Sequence, residues 1–227
     1  MEITLLFVSL VAYFIIAPFT KLKENKILRI IVITIIGTLL LTVSAKIKIP
    51  FYPVPMTMQT FAVLFIGVTL GYKVGLLTVS LYLLEGIAGY PVFANSPEKG
   101  IGIVYFTGPT MGYLIGFLIA AYLAGCFKYK DCFEYKKTEP EISEIEQLLN
   151  PLFNIIENIF SNFLKLLFAV TFIYLLGLIW LGLLFGWDKP IFQMGALPFL
   201  PAELFKLLLL SITAGYIKKL KKITKVT

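Results

Sequence analysis

Long apolar runs, broken by short basic or proline-rich connections, govern what this chain can fold into. Runs of roughly 18–22 residues match a ~30 Å hydrocarbon layer at ~1.5 Å of helix rise per residue. The candidate spans are Met1–Phe19, Ile27–Ala45, Met58–Leu70, Val74–Ile87, Thr110–Phe127, Asn162–Phe185 and Leu200–Ile217. The third and fourth are short, and a turn at Gly71-Tyr72-Lys73 separates them. Soluble domains carry about 45–50% apolar residues, whereas this chain of 227 residues carries 59%. The sequence therefore predicts an all-α integral membrane protein with a six-helix core at residues 27–217. Residues 1–20 are read as an extra N-terminal membrane helix, because Lys21, Lys23 and Lys26 follow the run and no basic region or small-residue cleavage site marks a removable leader.

Positive charge sets the orientation. If the loop with Lys21, Lys23, Lys26 and Arg29 is inside, then fourteen Lys and Arg residues fall in inside connections and four outside. The four are Lys46, Lys48, Lys99 and Lys189. Cytoplasmic loops carry such an excess, so the basic tail at 218–227 is expected in the cytoplasm of a multi-pass plasma-membrane protein. The net charge of +7 is accounted for by this pattern, and no nucleic-acid partner is expected. The partner of most of the surface is membrane lipid.

Three connections then face outward: 46–57, 88–109 and 186–199. They hold Pro50, Pro53, Pro55, Pro91, Pro97, Pro109, Pro190 and Pro198, and Pro201 flanks the last. Proline fixes φ and removes a backbone donor, so these loops are stiff, as a pocket rim needs to be. The stretch PFYPVPMTMQT adds Thr57 and Gln59 to such a rim. The long inside connection at 128–161 differs. Ile142, Ile145, Leu149, Leu152, Ile156, Ile159 and Phe163 recur at three- and four-residue spacing, the pattern of an amphipathic helix. Glu141, Glu144, Glu146 and Glu157 argue against anionic lipid as its main partner, leaving packing on the bundle or docking of a protein.

Few ionisable groups lie within spans, where each costs about 2.5–3.5 kcal/mol on insertion scales. Glu203 and Lys206 share one face of the last helix, roughly 9 Å below its start at the lysine. They form either a self-satisfying salt bridge or the polar floor of a small-ligand site. Glu85 can reach water near the outer surface, and Lys165 can snorkel to the inner one. Gly112, Gly116, Ala120 and Ala124 line one helix face and permit close helix approach. The chain has no histidine and no GxxxxGK[ST] loop, and its two aspartates, Asp131 and Asp188, lie outside the spans. Zinc-protease, Ser-His-Asp and aspartyl-dyad chemistry and a P-loop of its own are thereby excluded. Cys126 and Cys132 do not make a metal framework and are expected as free thiols. No metal and no cofactor is expected.

PVPMTMQT (Pro53–Thr60), GIAGYPVFANS (Gly86–Ser96), GPTMGYLIGFLIAAYLAG (Gly108–Gly125) and PAELFK (Pro201–Lys206) together resemble the BioY family over Ile27 to Ile217. These are the biotin-specific substrate-binding subunits of energy-coupling-factor (ECF) transporters. The resemblance implies an S-component-like six-helix bundle that binds biotin near the outer side and is not an enzyme. It implies an ECF transmembrane scaffold subunit and ATPase subunits as partners. It places biotin contacts at Glu203, Lys206 and Asn95, with Gln59 and Tyr113 as further pocket-lining residues. The family more often has aspartate where Glu203 stands. Ile27–Ala45 lacks the alanine-x-x-x-alanine face that such subunits often use for scaffold docking. Another vitamin or small heterocycle, or a non-transport membrane assembly role, are the alternatives.

Overall fold

The computed structural model describes residues 25–132 and 144–223, with the side chains of 144–149, 151 and 218–223 left aside. The expected span at Met1–Phe19, the end of the basic tail at 224–227 and part of the inside connection lie outside the described residues. Helix α1 (Lys26–Lys46) leads into a short antiparallel ribbon, β1 (Lys48–Ile49) and β2 (Met56–Thr57). Helix α2 (Gln59–Ile87) follows, then a 3-10 turn at Gly102–Thr107, α3 (Met111–Cys126) and α4 (Glu144–Phe185). The short α5 (Ile191–Gly195), a 3-10 turn at Leu197–Phe199 and α6 (Leu200–Ile223) complete the described chain.

Helix α2 is two spans. Gly71 adopts φ 78°, ψ 171° in its middle, a conformation open to glycine and rarely to other residues. The arms on either side fold back on one another. Gln59 near one end bonds Tyr82 near the other, and a Cβ on Gly75 would lie 3.3 Å from Gly67 Cα. Counting both arms, six helical segments build the bundle, as the sequence predicts. Four of the described helices are long and apolar enough to cross a membrane, and α3 is a shorter apolar helix. The chain is a multi-pass membrane protein.

Packing among these helices relies on small residues. Lipid tails are as apolar as leucine, so helices associate through close van der Waals contact rather than hydrophobic exclusion. A Cβ on Gly67 would meet Ala121 O at 2.6 Å, and one on Gly116 would meet Ile173 Cα at 2.6 Å. The Gly112–Ala124 face is thus the seam where α3 meets both α2 and α4. On α1 the small and polar residues Thr34, Gly37, Thr38, Ser44 and Ala45 are buried, whereas Ile31, Ile35, Leu39 and Val43 are exposed. Small-residue packing of α1 is therefore turned inward, with Gly37 facing Thr78 of α2.

Two connections differ from the sequence expectation. The amphipathic stretch ahead of residue 161 and the span at Asn162–Phe185 form one continuous helix of 42 residues. Between Ile156 and Phe185 no proline interrupts the run, and its first positive-φ glycine is Gly186 just past the end. At about 63 Å it is longer than the ~30 Å apolar layer. The connection at 186–199 is not open loop but carries α5 and a 3-10 turn.

A polar knot joins the chain at Lys130 to α4 and α6. Asn162 is fully buried, donates to Lys130 O (2.8 Å) and Ser211 O (3.1 Å), and accepts from Lys130 N at 2.9 Å. Cys126 is an exposed free thiol and Cys132 a buried one, as expected. Lys165 donates to Lys128 O at 2.8 Å.

Candidate functional site

The connections at 46–57 and 88–109, the start of α2 and parts of α3, α4 and α6 enclose a cavity. Its mouth is open to solvent, and about 50 Å³ inside it is free to the centre of a water molecule. Most of its wall is apolar or aromatic: Val54, Pro55 and Met56 from the ribbon, Phe93 and Ala94 from the second loop, and Phe117, Ile173 and Phe199 from the bundle. Polar groups are few and come from Thr57, Gln59, Thr60, Tyr105, Thr110, Tyr113, Tyr174 and Glu203.

Glu203 occupies the first turn of α6, where the positive end of the helix dipole favours a carboxylate. Lys206 lies one turn on. Both side chains are buried, with 6% and 7% exposure, and Lys206 Nζ sits 2.7 Å from Glu203 Oε1. Thr60 joins them, its hydroxyl donating to Glu203 Oε1 at 2.8 Å and accepting from Lys206 Nζ at 3.1 Å. Lys206 also donates to Thr57 O at 2.7 Å. All three ammonium donors are thus used inside the protein. Glu203 Oε2 is buried with no donor at ordinary hydrogen-bond distance, while the Tyr174 phenol on the same wall interacts with this carboxylate. A buried acceptor without a donor at that distance costs free energy, and this one belongs to a residue that lines the cavity.

The remaining polar wall is a chain of internal bonds. Thr57 Oγ1 donates to Gln59 Oε1 (3.2 Å), Gln59 Nε2 donates to Tyr82 Oη (2.8 Å), and Tyr82 Oη donates to Val92 O (3.1 Å). Tyr113 Oη donates to Gly195 O at 2.7 Å and its ring meets Tyr174 edge-on at 6.0 Å. Phe93 stacks on Tyr105 at 4.7 Å, meets Tyr82 edge-on at 5.3 Å, and rests over Gly86. Burial pushes the Tyr105 phenol up from its ordinary range, and its oxygen accepts from Asn95 N at 3.4 Å.

The structure brings Glu203, Gln59 and Tyr113 onto the cavity wall. Lys206 sits behind the wall, gripping Glu203, Thr57 and Thr60. Asn95 lies beside the cavity, where its Oδ1 accepts from Lys48 Nζ at 3.2 Å. Sequence reasoning missed Thr60 as the bridge of the ion pair, Tyr174 opposite Tyr113, and Lys46 and Lys48 as ligands of the second loop. The PVPMTMQT motif contained Thr60, but its contact with a residue 143 positions away has no local signature.

A family model described as the BioY family matches residues 11–223. The chain is 32% identical over 167 residues to a probable biotin transporter BioY of Pyrococcus horikoshii, covering 74% of this chain and 82% of that protein. It is 28% identical over 201 residues to a probable biotin transporter BioY of Rickettsia prowazekii, covering 88% and 89%. A crystal structure of the S-component for biotin from an ECF-type ABC transporter superposes with a TM-score of 0.61 at 24% identity, over 86% of this chain and 94% of that one. At that identity the likeness establishes the fold.

Proposed function

The chain belongs to the BioY family, and from that premise we propose that it captures biotin at the outer face of the membrane for uptake. The observation that carries this reading is the buried Oε2 of Glu203, with no donor at ordinary hydrogen-bond distance, on the wall of an otherwise apolar and aromatic cavity. Such an oxygen calls for an N–H donor on a ligand that is otherwise largely apolar. Biotin supplies one: its flat ureido ring carries two N–H groups, and its thioether ring and alkyl tail suit the aromatic walls. Glu203 Oε2 receives a ureido N–H. Lys206, with its donors occupied, holds the carboxylate in place and balances its charge. Gln59, Tyr113 and Asn95 frame the ligand through the bonds that fix their own positions.

Capture is the whole of the chemistry, with no reaction on the ligand. Energy for uptake comes from ATPase subunits acting through an ECF transmembrane scaffold, as family membership and fold support. The basic C-terminal tail faces the cytoplasm, in keeping with the lysine distribution. One observation favours a second reading, a purely structural pair in an assembly protein: Lys206 is satisfied without any ligand. Equilibrium dialysis with labelled biotin separates the two. The Glu203→Gln, Lys206→Met double variant removes both charges together and should fold yet retain no biotin. Wild-type affinity in that variant would leave the pair structural.

A further inference from the structure

Lys46 and Lys48 reach across the outer face to the second loop. Lys46 Nζ donates to Phe93 O at 2.8 Å and to Ser96 O at 2.7 Å. Lys48 Nζ donates to Ala94 O at 2.8 Å and to Asn95 Oδ1 at 3.2 Å, and lies 3.6 Å from Glu98 Oε2. Two ammonium groups thus hold acceptors on four consecutive residues. Lys99 returns the contact, its Nζ 5.9 Å from the centroid of the Tyr52 ring.

The two parts joined differ in how they are otherwise held. The second loop is anchored from within, since Phe93 is buried among Tyr82, Tyr105 and Phe106. The ribbon is not. Its strands have two residues each, far short of what an isolated pair needs to persist, and Ile49, Phe51 and Tyr52 at its tip are exposed. Yet Val54 to Thr57 of the ribbon and Phe93 and Ala94 of the loop are opposing walls of the cavity. The lysines fasten the ribbon wall to the loop wall. Hydrogen bonds from a charged donor are roughly twice as strong as neutral ones. Lys46 is exposed and Lys48 half-buried as whole residues.

We infer that Lys46 and Lys48 are positioning residues that latch the 47–57 ribbon to the Phe93–Ser96 backbone and thereby set how long a ligand stays in the cavity. The kinetic part rests on the biotin reading; the latch itself does not. The first measurement therefore uses ligand-free full-length protein. Amide hydrogen exchange at residues 56–58 and 96–100 should be at least tenfold faster in the Lys46→Met, Lys48→Met double variant, with exchange in α3 and α4 unchanged. The Lys46→Arg, Lys48→Arg variant keeps cationic donors and should restore protection. Unchanged exchange in the methionine variant would overturn the latch. The second measurement is biotin dissociation, expected to be at least tenfold faster in the methionine variant with association within threefold of wild type. Faster exchange with unchanged dissociation would overturn the positioning role. If wild type binds no biotin, the biotin reading fails and the exchange result alone decides the latch.

Discussion

Glu203 and Lys206 meet at 2.7 Å inside the protein, and the meeting uses one carboxylate oxygen while the other has no donor at ordinary hydrogen-bond distance. The pair is net neutral, fixed by Thr60 and the Thr57 carbonyl, and still able to accept one more donor.

The Glu203→Gln substitution keeps the shape and removes the charge, leaving Lys206 as an uncompensated buried cation. Breaking such a pair on one side costs about 3–5 kcal/mol. Thermal unfolding in detergent should show a marked loss of stability. Adding Lys206→Met should recover much of it, because no buried charge is left alone. Biotin affinity should stay low in both variants, so stability and binding separate in this cycle.

Thr60→Val is nearly isosteric and removes only the bridging hydroxyl. A hydrogen bond to a charged group contributes about 1.5–3 kcal/mol, and each 1.4 kcal/mol is about tenfold. Calorimetric titration should find biotin binding roughly ten- to a hundredfold weaker. Wild-type affinity would show that Lys206 alone fixes the carboxylate.

Pro53 and Pro55 stiffen the ribbon wall. Each proline at a compatible position is worth about 0.4–1 kcal/mol through reduced freedom of the alternative states. Replacing both with alanine should weaken biotin several-fold, visible by the same titration. Unchanged affinity would remove proline stiffness from the explanation of this loop.

Gly116 faces Ile173 across the α3–α4 seam, where an added Cβ would sit 2.6 Å from Ile173 Cα. That separation cannot be met without moving a helix. Overpacking of this kind costs about 1–3 kcal/mol, so Gly116→Ala should lower the unfolding temperature. Ala120→Gly, one turn on, adds no atoms and should not reproduce the effect through clash.

What could be read in the sequence follows from the range of the signals. Apolar run length marked the spans, and the glycine at 71 marked the break in α2, because both are local. The helical continuity of α4 was obscured because its face changes from amphipathic to uniformly apolar near residue 161, although the backbone has no reason to stop there. The folded character of 186–199 was hidden by its prolines, which also open short helical turns. Glu203 stood out as a charge in an apolar helix. Thr60 did not, since a threonine in a membrane helix commonly bonds its own backbone, as Thr34 and Thr78 do here. Lys46 and Lys48 registered only as outward charges, because their acceptors are carbonyls, which carry no sequence signature.

Calorimetric titration of the purified full-length protein in detergent with biotin, and with thiamine and riboflavin alongside, tests the function most directly. Tight one-to-one binding of biotin and none of the other two is the expected result. A folded sample that binds no biotin would contradict it, and would turn attention to the glutamate at position 203 where the family more often has aspartate.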